Sequence, residues 1–366
     1  MALELAAGLR DKGCEVEVVT SYWGNREFGR RSRSAGFPTH IMRLGFISAT
    51  LTFESLRMTA HQMIFWPGLL ANYYRFLKSV SPKKIVHTNW HHALLLSPFL
   101  NRERDIYWIH EVMPDKPQYR NVFHWLGRRA RCFVAVSNAV NESLCRLGID
   151  QQMIKVIYNG IEDPVSDPAR LARTGKDPVV GIVGQIGAWK GHEDLFNAFQ
   201  AVLRTLPTAQ LHLFGRAASE YEAFLRARAT DLGIQKSIKW RGFIVNQAEI
   251  YGNLAVLVVP SRSPDPLPTS AIEAGFFEVP VVASRIGGLP EIITDGETGL
   301  LFESGDIEQL ARHLTLLLTD PELRNKMGGK AREHAISFFK HDRFVREFCE
   351  ILELKSPNVN ATSSVE

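Results

Sequence analysis

Short apolar runs closed by glycine, proline or polar turns alternate along this chain with stretches whose apolar residues recur every three or four positions. Near the start, Leu3, Ala6 and Leu9 have helical spacing, Gly8 and Gly13 mark a stop, and Glu15–Thr20 (EVEVVT) alternates and then turns apolar as a strand. Further strands are predicted at Lys84–His87, Asp105–Ile109 (DIYWI) and Cys132–Val136 (CFVAV), with helical stretches between them. Ser137 and Asn138 suit the cap of a helix carrying Val140, Leu144 and Leu147, which Gly148 ends. Later, Val179–Gly184 (VVGIVG) predicts a buried strand, and a helix follows from His192 with Leu195, Phe199, Val202 and Leu203 on one face and Glu193 and Asp194 in its first turn. Strands at Leu211–Gly215, Ile238–Phe243, Val256–Val259 and Pro280–Ser284 and a helix over Tyr221–Leu232 continue the alternation. Helices are predicted at Ile307–Leu318, Pro321–Phe338 and Asp342–Leu354. Strands apolar on both faces, joined by helices, indicate an α/β protein built on parallel sheets.

A chain of 366 residues exceeds a single core and predicts two domains. Prolines and charges over Asp163–Pro178 (DPVSDPARLARTGKDP) mark the linker. The expected organisation is a first domain over 1–163, a linker over 164–178, a second domain over 179–341, a terminal helix over 342–354 and a polar, disordered tail over 355–366. A doubly wound sheet normally begins with a strand, yet the first predicted element is a helix, so the first strand is missing. The expectation is a start site placed too late, or a truncated chain.

Cysteines 14, 132, 145 and 349 show neither metal spacing nor disulfide density, which points to a reducing compartment and to no metal or thiol chemistry. The chain shows no basic-then-apolar leader, and its uncharged span Met58–Tyr74 is interrupted by His61, Gln62, Pro67 and Asn72. A cytoplasmic location is expected, with no nucleic-acid partner. The net charge of +4 conceals an asymmetry: residues 1–165 hold 21 Lys and Arg against 14 acids, and the remainder 22 against 25. Arg26, Arg30, Arg31, Arg33 and Arg43 lie close together in the basic part, which suits either an anionic membrane surface, giving peripheral attachment at the inner face, or a solvated loop.

The candidate chemistry gathers between Val258 and Phe302, where Asp265 and Glu273 stand eight positions apart around a helix start. Pro268 suits the first helical position, which leaves the amides of Thr269 and Ser270 able to accept a phosphate. Glu273, one turn further, can accept two ribose hydroxyls; as a carboxylate between Ile272 and Ala274, it requires a ligand or a backbone partner if buried. Gly287 and Gly288 follow the strand at Pro280–Ser284 and allow backbone to approach a ligand closely. Gly184–Gly191 (GQIGAWKG) has neither the glycine spacing of a dinucleotide fingerprint nor the Lys-Ser/Thr pair of a P-loop, so Lys190 alone is either a surface charge or an anion ligand. His110 ends the strand DIYWI where ligands gather on parallel sheets, and a buried structural histidine is the competing reading. His87, His91 and His92 lack an acid partner motif for zinc and read as core or cleft lining.

The segments PSRSPDPLPTSAIEAG, VPVVAS and GGLPEIITDGETGLLF resemble the signature of the GT4-type glycosyltransferases, retaining enzymes of the GT-B fold. The resemblance implies two Rossmann-like doubly wound domains facing a cleft, with donor binding mostly in the second domain and acceptor binding in the first. The family's strand and glycine-rich loop that precede the first helix have no counterpart here, and its terminal helix crosses back to the first domain. The segment VAVSNAVNESLCRLGIDQQMIKVIYNGIED is similar to the family's hinge approach, with Glu162 in place of an aspartate. The family's paired acids, usually two glutamates, fall on Asp265, which would hold hydroxyls of the transferred sugar, and on Glu273, which would hold the ribose. Lys190 matches the lysine that neutralises the donor diphosphate, and Gln185, after Gly184, replaces the usual arginine and so removes a permanent charge. Amides near Thr269 and Gly288 would share the leaving-group charge, and His110 would contact the donor sugar.

The resemblance implies a metal-independent hexosyltransferase that needs no cofactor beyond a UDP-, GDP- or ADP-sugar donor. It would act on a glycan or lipid-linked acceptor in surface polysaccharide biosynthesis, with retention by front-face attack. The alternative is a catalytically impaired sugar-nucleotide-binding or scaffold protein of the same fold, suggested by Gln185 and the absent strand. A glycosidase using Asp265 and Glu273 would leave Lys190 and the glycine loop without a purpose.

Overall fold

The computed structural model describes residues 1–22, 26–45, 53–165 and 178–354, which form two compact units, Met1–Ile157 with the chain from Asp342 onward, and Tyr158–His341. The tail 355–366 and nearly all of the expected linker lie outside the described residues.

The first unit runs α1 (Ala2–Asp11), β1 (Val18–Ser21), α2 (Glu27–Ser34), β2 (Thr39–Met42), α3 (Phe53–Ile64), α4 (Trp66–Val80), β3 (Ile85–His87), α5 (Trp90–Leu95), β4 (Asp105–Ile109), α6 (Pro117–Gly127), β5 (Cys132–Ala135), α7 (Asn138–Arg146) and β6 (Ile154–Val156). Its described strands make two parallel sheets, β1-β2 and β3-β4-β5-β6. All five residues of β4 are buried, which is why IYWI after Asp105 is apolar without alternation. Gly8 does not end α1, contrary to expectation: it is buried inside the helix, which runs on to Asp11, and Gly13 at φ +82° makes the turn. Ser137 caps α7 as its sequence predicts, its hydroxyl accepting the Val140 N–H at 3.2 Å.

The second unit continues with β7 (Val179–Val183), α8 (His192–Thr205), β8 (Gln210–Phe214), α9 (Ser219–Asp231), β9 (Ile238–Gly242), α10 (Gln247–Tyr251), β10 (Val256–Val259), α11 (Thr269–Phe276), β11 (Val281–Ser284), α12 (Leu289–Ile292), β12 (Gly299–Phe302), α13 (Ile307–Thr319) and α14 (Pro321–Phe338). Its six strands form one parallel sheet in the order β12-β11-β10-β7-β8-β9. Every residue of β10, β11 and β12 is buried, while α8 packs with α13 and α11 with α14. Fully buried Phe196, Phe199, Leu213 and Leu314 anchor this core, each contributing about 1.5–3 kcal/mol by leaving water.

A last helix, α15 (His341–Ile351), belongs to the first unit from Asp342 on. Its Phe344 and Phe348 pack against Trp108 of β4 at ring separations of 5.6 and 5.0 Å. The histidine group resolves into core chemistry at His87, whose Nε2 lies 2.5 Å from Asp105 Oδ1, both side chains being buried.

Candidate active site

Strand order places the site in the second unit. From β7 the chain moves outward through β8 to β9, then returns to β10 on the other side of β7 and moves outward again to β12. The loops that leave neighbouring β7 and β10 therefore diverge, and a crevice opens at their carboxyl ends, where open parallel sheets bind ligands. Lys190 comes from the first of these loops and Asp265 from the second. They meet: Lys190 Nζ donates to Asp265 Oδ2 at 2.5 Å, with side chains 23% and 15% exposed, and the Ser261 hydroxyl donates to the same oxygen at 3.1 Å.

Backbone contacts hold the two loops in register. The Arg262 N–H donates to the Trp189 carbonyl at 2.8 Å, and Gly191, at φ +71°, passes so close to Pro260 that a Cβ there would sit 1.8 Å from its carbonyl oxygen. Arg262 also grips buried Asp194, in the first turn of α8, through two guanidinium nitrogens. His192, at the start of α8, donates from Nδ1 to the Gly187 carbonyl at 3.2 Å, and burial lowers its pKa to about 4, so it is neutral near pH 7. Gly184, at φ +143°, and Gln185 lie exposed at the start of this loop.

Gly287 and Gly288 differ from expectation. The backbone they approach is the protein's own: a Cβ would fall 2.3 Å from Asp265 O at Gly287 and 2.1 Å from Pro266 O at Gly288. The Gly288 N–H already donates to the Asp265 carbonyl at 2.7 Å, so it is engaged in shaping the acid loop and is not a spare phosphate donor. The pair fixes where Asp265 stands.

Pro268 is the N-cap of α11 and Thr269 its first residue, one position later than the sequence suggests. The Ala271 N–H returns to the Pro268 carbonyl, whereas Thr269 and Ser270 precede any intrahelical acceptor, so their amides face out of the helix start. Glu273, one turn on, is half-buried, and its Oε2 accepts the Tyr251 phenol at 2.6 Å. A partner that burial requires is thus supplied by a side chain. Burial, with the neighbouring Glu273 charge, pushes the Tyr251 pKa well above its ordinary value, so the phenol stays protonated and donates.

His110 lies in the first unit, at the carboxyl end of β4, with its ring 4.2 Å from that of Trp108. Burial lowers its pKa to about 4, which makes it a neutral hydrogen-bonding group at pH 7 rather than a cation. Sequence reasoning missed Tyr251, Ser261 and the Asp194–Arg262 pair. Only Asp194 left a signal, as an acid in a helix start followed directly by the buried Leu195 and Phe196.

The model of the family described as glycosyl transferases group 1 matches residues 166–334, and that of glycosyltransferase family 4 matches residues 1–163. A GDP-mannose-dependent monoacylated α-(1-6)-phosphatidylinositol monomannoside mannosyltransferase of Corynebacterium glutamicum is 32% identical over 47% of this chain and 46% of its own length. An α-maltose-1-phosphate synthase of Mycolicibacterium smegmatis is 29% identical over 63% of this chain and 66% of its own length. The chain thus spans about half to two thirds of these relatives. Among solved structures, Anabaena HepE in complex with UDP superimposes with a TM-score of 0.80 at 19% identity, covering 96% of this chain and 95% of that one. A glycosyltransferase from Rickettsia africae gives 0.78 at 19% identity, covering 96% and 93%. The parallel sheets and these likenesses establish the fold as that of the GT-B glycosyltransferases, and with both family matches the chain belongs to the GT4-type glycosyltransferases, the glycosyl transferases group 1.

Proposed function

We propose that this chain is a retaining, metal-independent glycosyltransferase that moves a hexose from a nucleoside-diphosphate sugar to a glycan or lipid-linked acceptor. The observation that carries the reading is the meeting of Lys190 and Asp265 across the β7/β10 crevice, with the Thr269 and Ser270 amides at the start of the helix that bears Glu273. Cleavage of the donor develops negative charge on the leaving diphosphate, and a fixed ammonium with helix-start N–H groups stabilises it without a metal. An ammonium has three donors, so Lys190 can keep Asp265 while donating to phosphate oxygens. Asp265, steadied by Lys190 and Ser261, is an acceptor for hydroxyls of the transferred sugar, and Glu273 for those of the ribose. Attack from the face the diphosphate leaves, with a phosphate oxygen taking the acceptor proton, gives retention and requires no separate strong base.

The relatives' names support a hexosyl donor, since they include a GDP-mannose-dependent mannosyltransferase, and HepE has been crystallised with UDP-glucose. The exposed Arg26, Arg30, Arg31, Arg33 and Arg43 of the first unit favour a lipid-linked acceptor at an anionic membrane surface, and hence surface polysaccharide synthesis at the cytoplasmic face. Among the described residues no helix is long and apolar enough to cross a membrane. Thermal shift against UDP-, GDP- and ADP-sugars identifies the donor, and transfer from that donor to lipid extracts or glycans tests the activity. Donor binding with no transfer to any acceptor would favour the scaffold alternative, which Gln185 in place of a phosphate-binding arginine supports. No binding to any nucleotide sugar would refute both.

A further inference from the structure

We infer that Tyr251 is a positioning residue for the donor's ribose, setting the orientation of the Glu273 carboxylate and with it the preference for ribonucleotides over 2′-deoxyribonucleotides. The inference rests on the reading of Glu273 as the ribose acceptor and adds the group that makes that acceptor selective.

Tyr251 is the last residue of α10 and is fully buried, and its phenol reaches Glu273 Oε2 at 2.6 Å. Its ring is stacked on Phe277, just past the end of α11, at 5.5 Å with an interplanar angle of 26°. The backbone on either side is also tied: the Gly252 N–H donates to Ala248 O at 3.0 Å and the Leu254 N–H to Tyr251 O at 3.1 Å, leading straight into buried β10. A ring fixed by stacking and by its own turn has little freedom to follow a moving carboxylate. The carboxylate must therefore adopt the orientation the phenol dictates.

Glu273 by itself is poorly suited to selectivity. Its side chain has three rotatable bonds, and ordering it at the moment of binding costs conformational entropy. Ile272 and Ala274 on either side of it are buried and seat α11 in the core, while the Glu273 side chain is only half covered. The phenol hydrogen bond meets part of that ordering cost during folding and fixes the carboxylate in an orientation that a vicinal diol can bind. A nucleotide lacking the 2′-hydroxyl then leaves a fixed acceptor unsatisfied, which is how a preorganised polar site rejects a smaller analogue.

The test is calorimetry on the full chain with UDP, GDP and ADP, followed by the 2′-deoxy form of whichever binds. For Tyr251→Phe, which keeps the ring and its stacking, the ribo-over-deoxy preference falls about tenfold while the 2′-deoxy nucleotide binds as in the parent chain. Glu273→Ala abolishes the preference, and adding Tyr251→Phe to it causes no further loss. Should Tyr251→Phe fail to fold, Phe277→Leu gives the second reading: it removes the stacking surface but leaves the hydroxyl, and the preference falls about threefold. A preference that survives Glu273→Ala, or a parent chain that binds none of the three nucleotides, refutes the ribose-acceptor reading. A preference lost in Glu273→Ala but intact in folded Tyr251→Phe, or in Phe277→Leu where Tyr251→Phe does not fold, overturns the role of Tyr251. Equal weakening of both nucleotides overturns it too, because it marks a merely structural residue.

Discussion

Replacing Lys190 by alanine separates its structural role from its binding role. In the unliganded chain its ammonium lies 2.5 Å from Asp265, and at an effective dielectric constant of about 20 the gross attraction is about 7 kcal/mol. Most of that is offset by the cost of drawing both charges partly out of water. Side chains 23% and 15% exposed place the pair between a surface ion pair and a buried one, so the net loss on removing Lys190 is about 1–2 kcal/mol. Asp265 keeps the Ser261 hydroxyl and access to water, so the fold survives, with Tm lowered by about 3–7 °C. Function suffers far more, because the charge that grows on the leaving diphosphate loses its fixed cation: turnover should fall about 100- to 1,000-fold. Calorimetry with the preferred nucleoside diphosphate and rate measurements with its sugar check both parts. Lys190→Arg keeps the charge but not the compact ammonium, and should fall between the two. A Lys190→Ala protein that binds nucleotide and turns over donor as the parent does would refute the reasoning, whatever its melting temperature.

Other consequences concern the scaffold, pH and the first unit. Gly191→Ala combines a left-handed φ of +71° with a Cβ placed on the Pro260 carbonyl, and should destabilise the second unit by more than about 2 kcal/mol, seen as a clear drop in the urea midpoint. Folding lowers the His192 pKa from 6.5 to about 4, so the unfolded chain binds more protons between those values. Stability is then full above pH 6.5 and falls as pH drops towards 4, by about 3 kcal/mol for this group, and His192→Asn should flatten that part of the urea-derived stability profile. If the exposed arginines of α2 face a membrane, the chain should co-sediment with anionic but not neutral liposomes and be released by salt; salt-insensitive absence of binding would count against that surface.

The sequence disclosed the parts of the fold whose physics is local. Val256–Val259 and Asp105–Ile109 are wholly buried strands; the first is an uninterrupted apolar run with the observed limits, and the second is one apart from Asp105 at its start. Pro321 and Phe338 bound a helix whose start is marked by Asp320, capping the Leu323 N–H at 2.9 Å. Two short strands stayed hidden: β2 reads THIM with three of four residues partly exposed, and β6 is IKV with an exposed lysine at its centre. α2, EFGRRSRS, has too few apolar residues to show a face. At the site, the start of α11 was legible from Pro268 and the buried strand before it, whereas Lys190, Asp265 and Glu273 stood out through the resemblance of their segments to the family's motifs. Tyr251 and Arg262 were not legible, because their partners Glu273 and Asp194 lie 22 and 68 positions away and only tertiary packing joins them. The glycines were legible as close-approach points, but which backbone they approach was not.

Under the proposed function, the crevice between the β7 and β10 loops holds a sugar nucleotide by its diphosphate. A crystal structure of this chain with its preferred nucleoside-diphosphate sugar tests it most directly. The account predicts phosphate oxygens within hydrogen-bond reach of Lys190 Nζ and of the Thr269 and Ser270 amides, with Glu273 on the ribose and Asp265 on the hexose. A nucleotide bound elsewhere on the chain, or one whose diphosphate leaves the Lys190–Asp265 pair untouched, would contradict it.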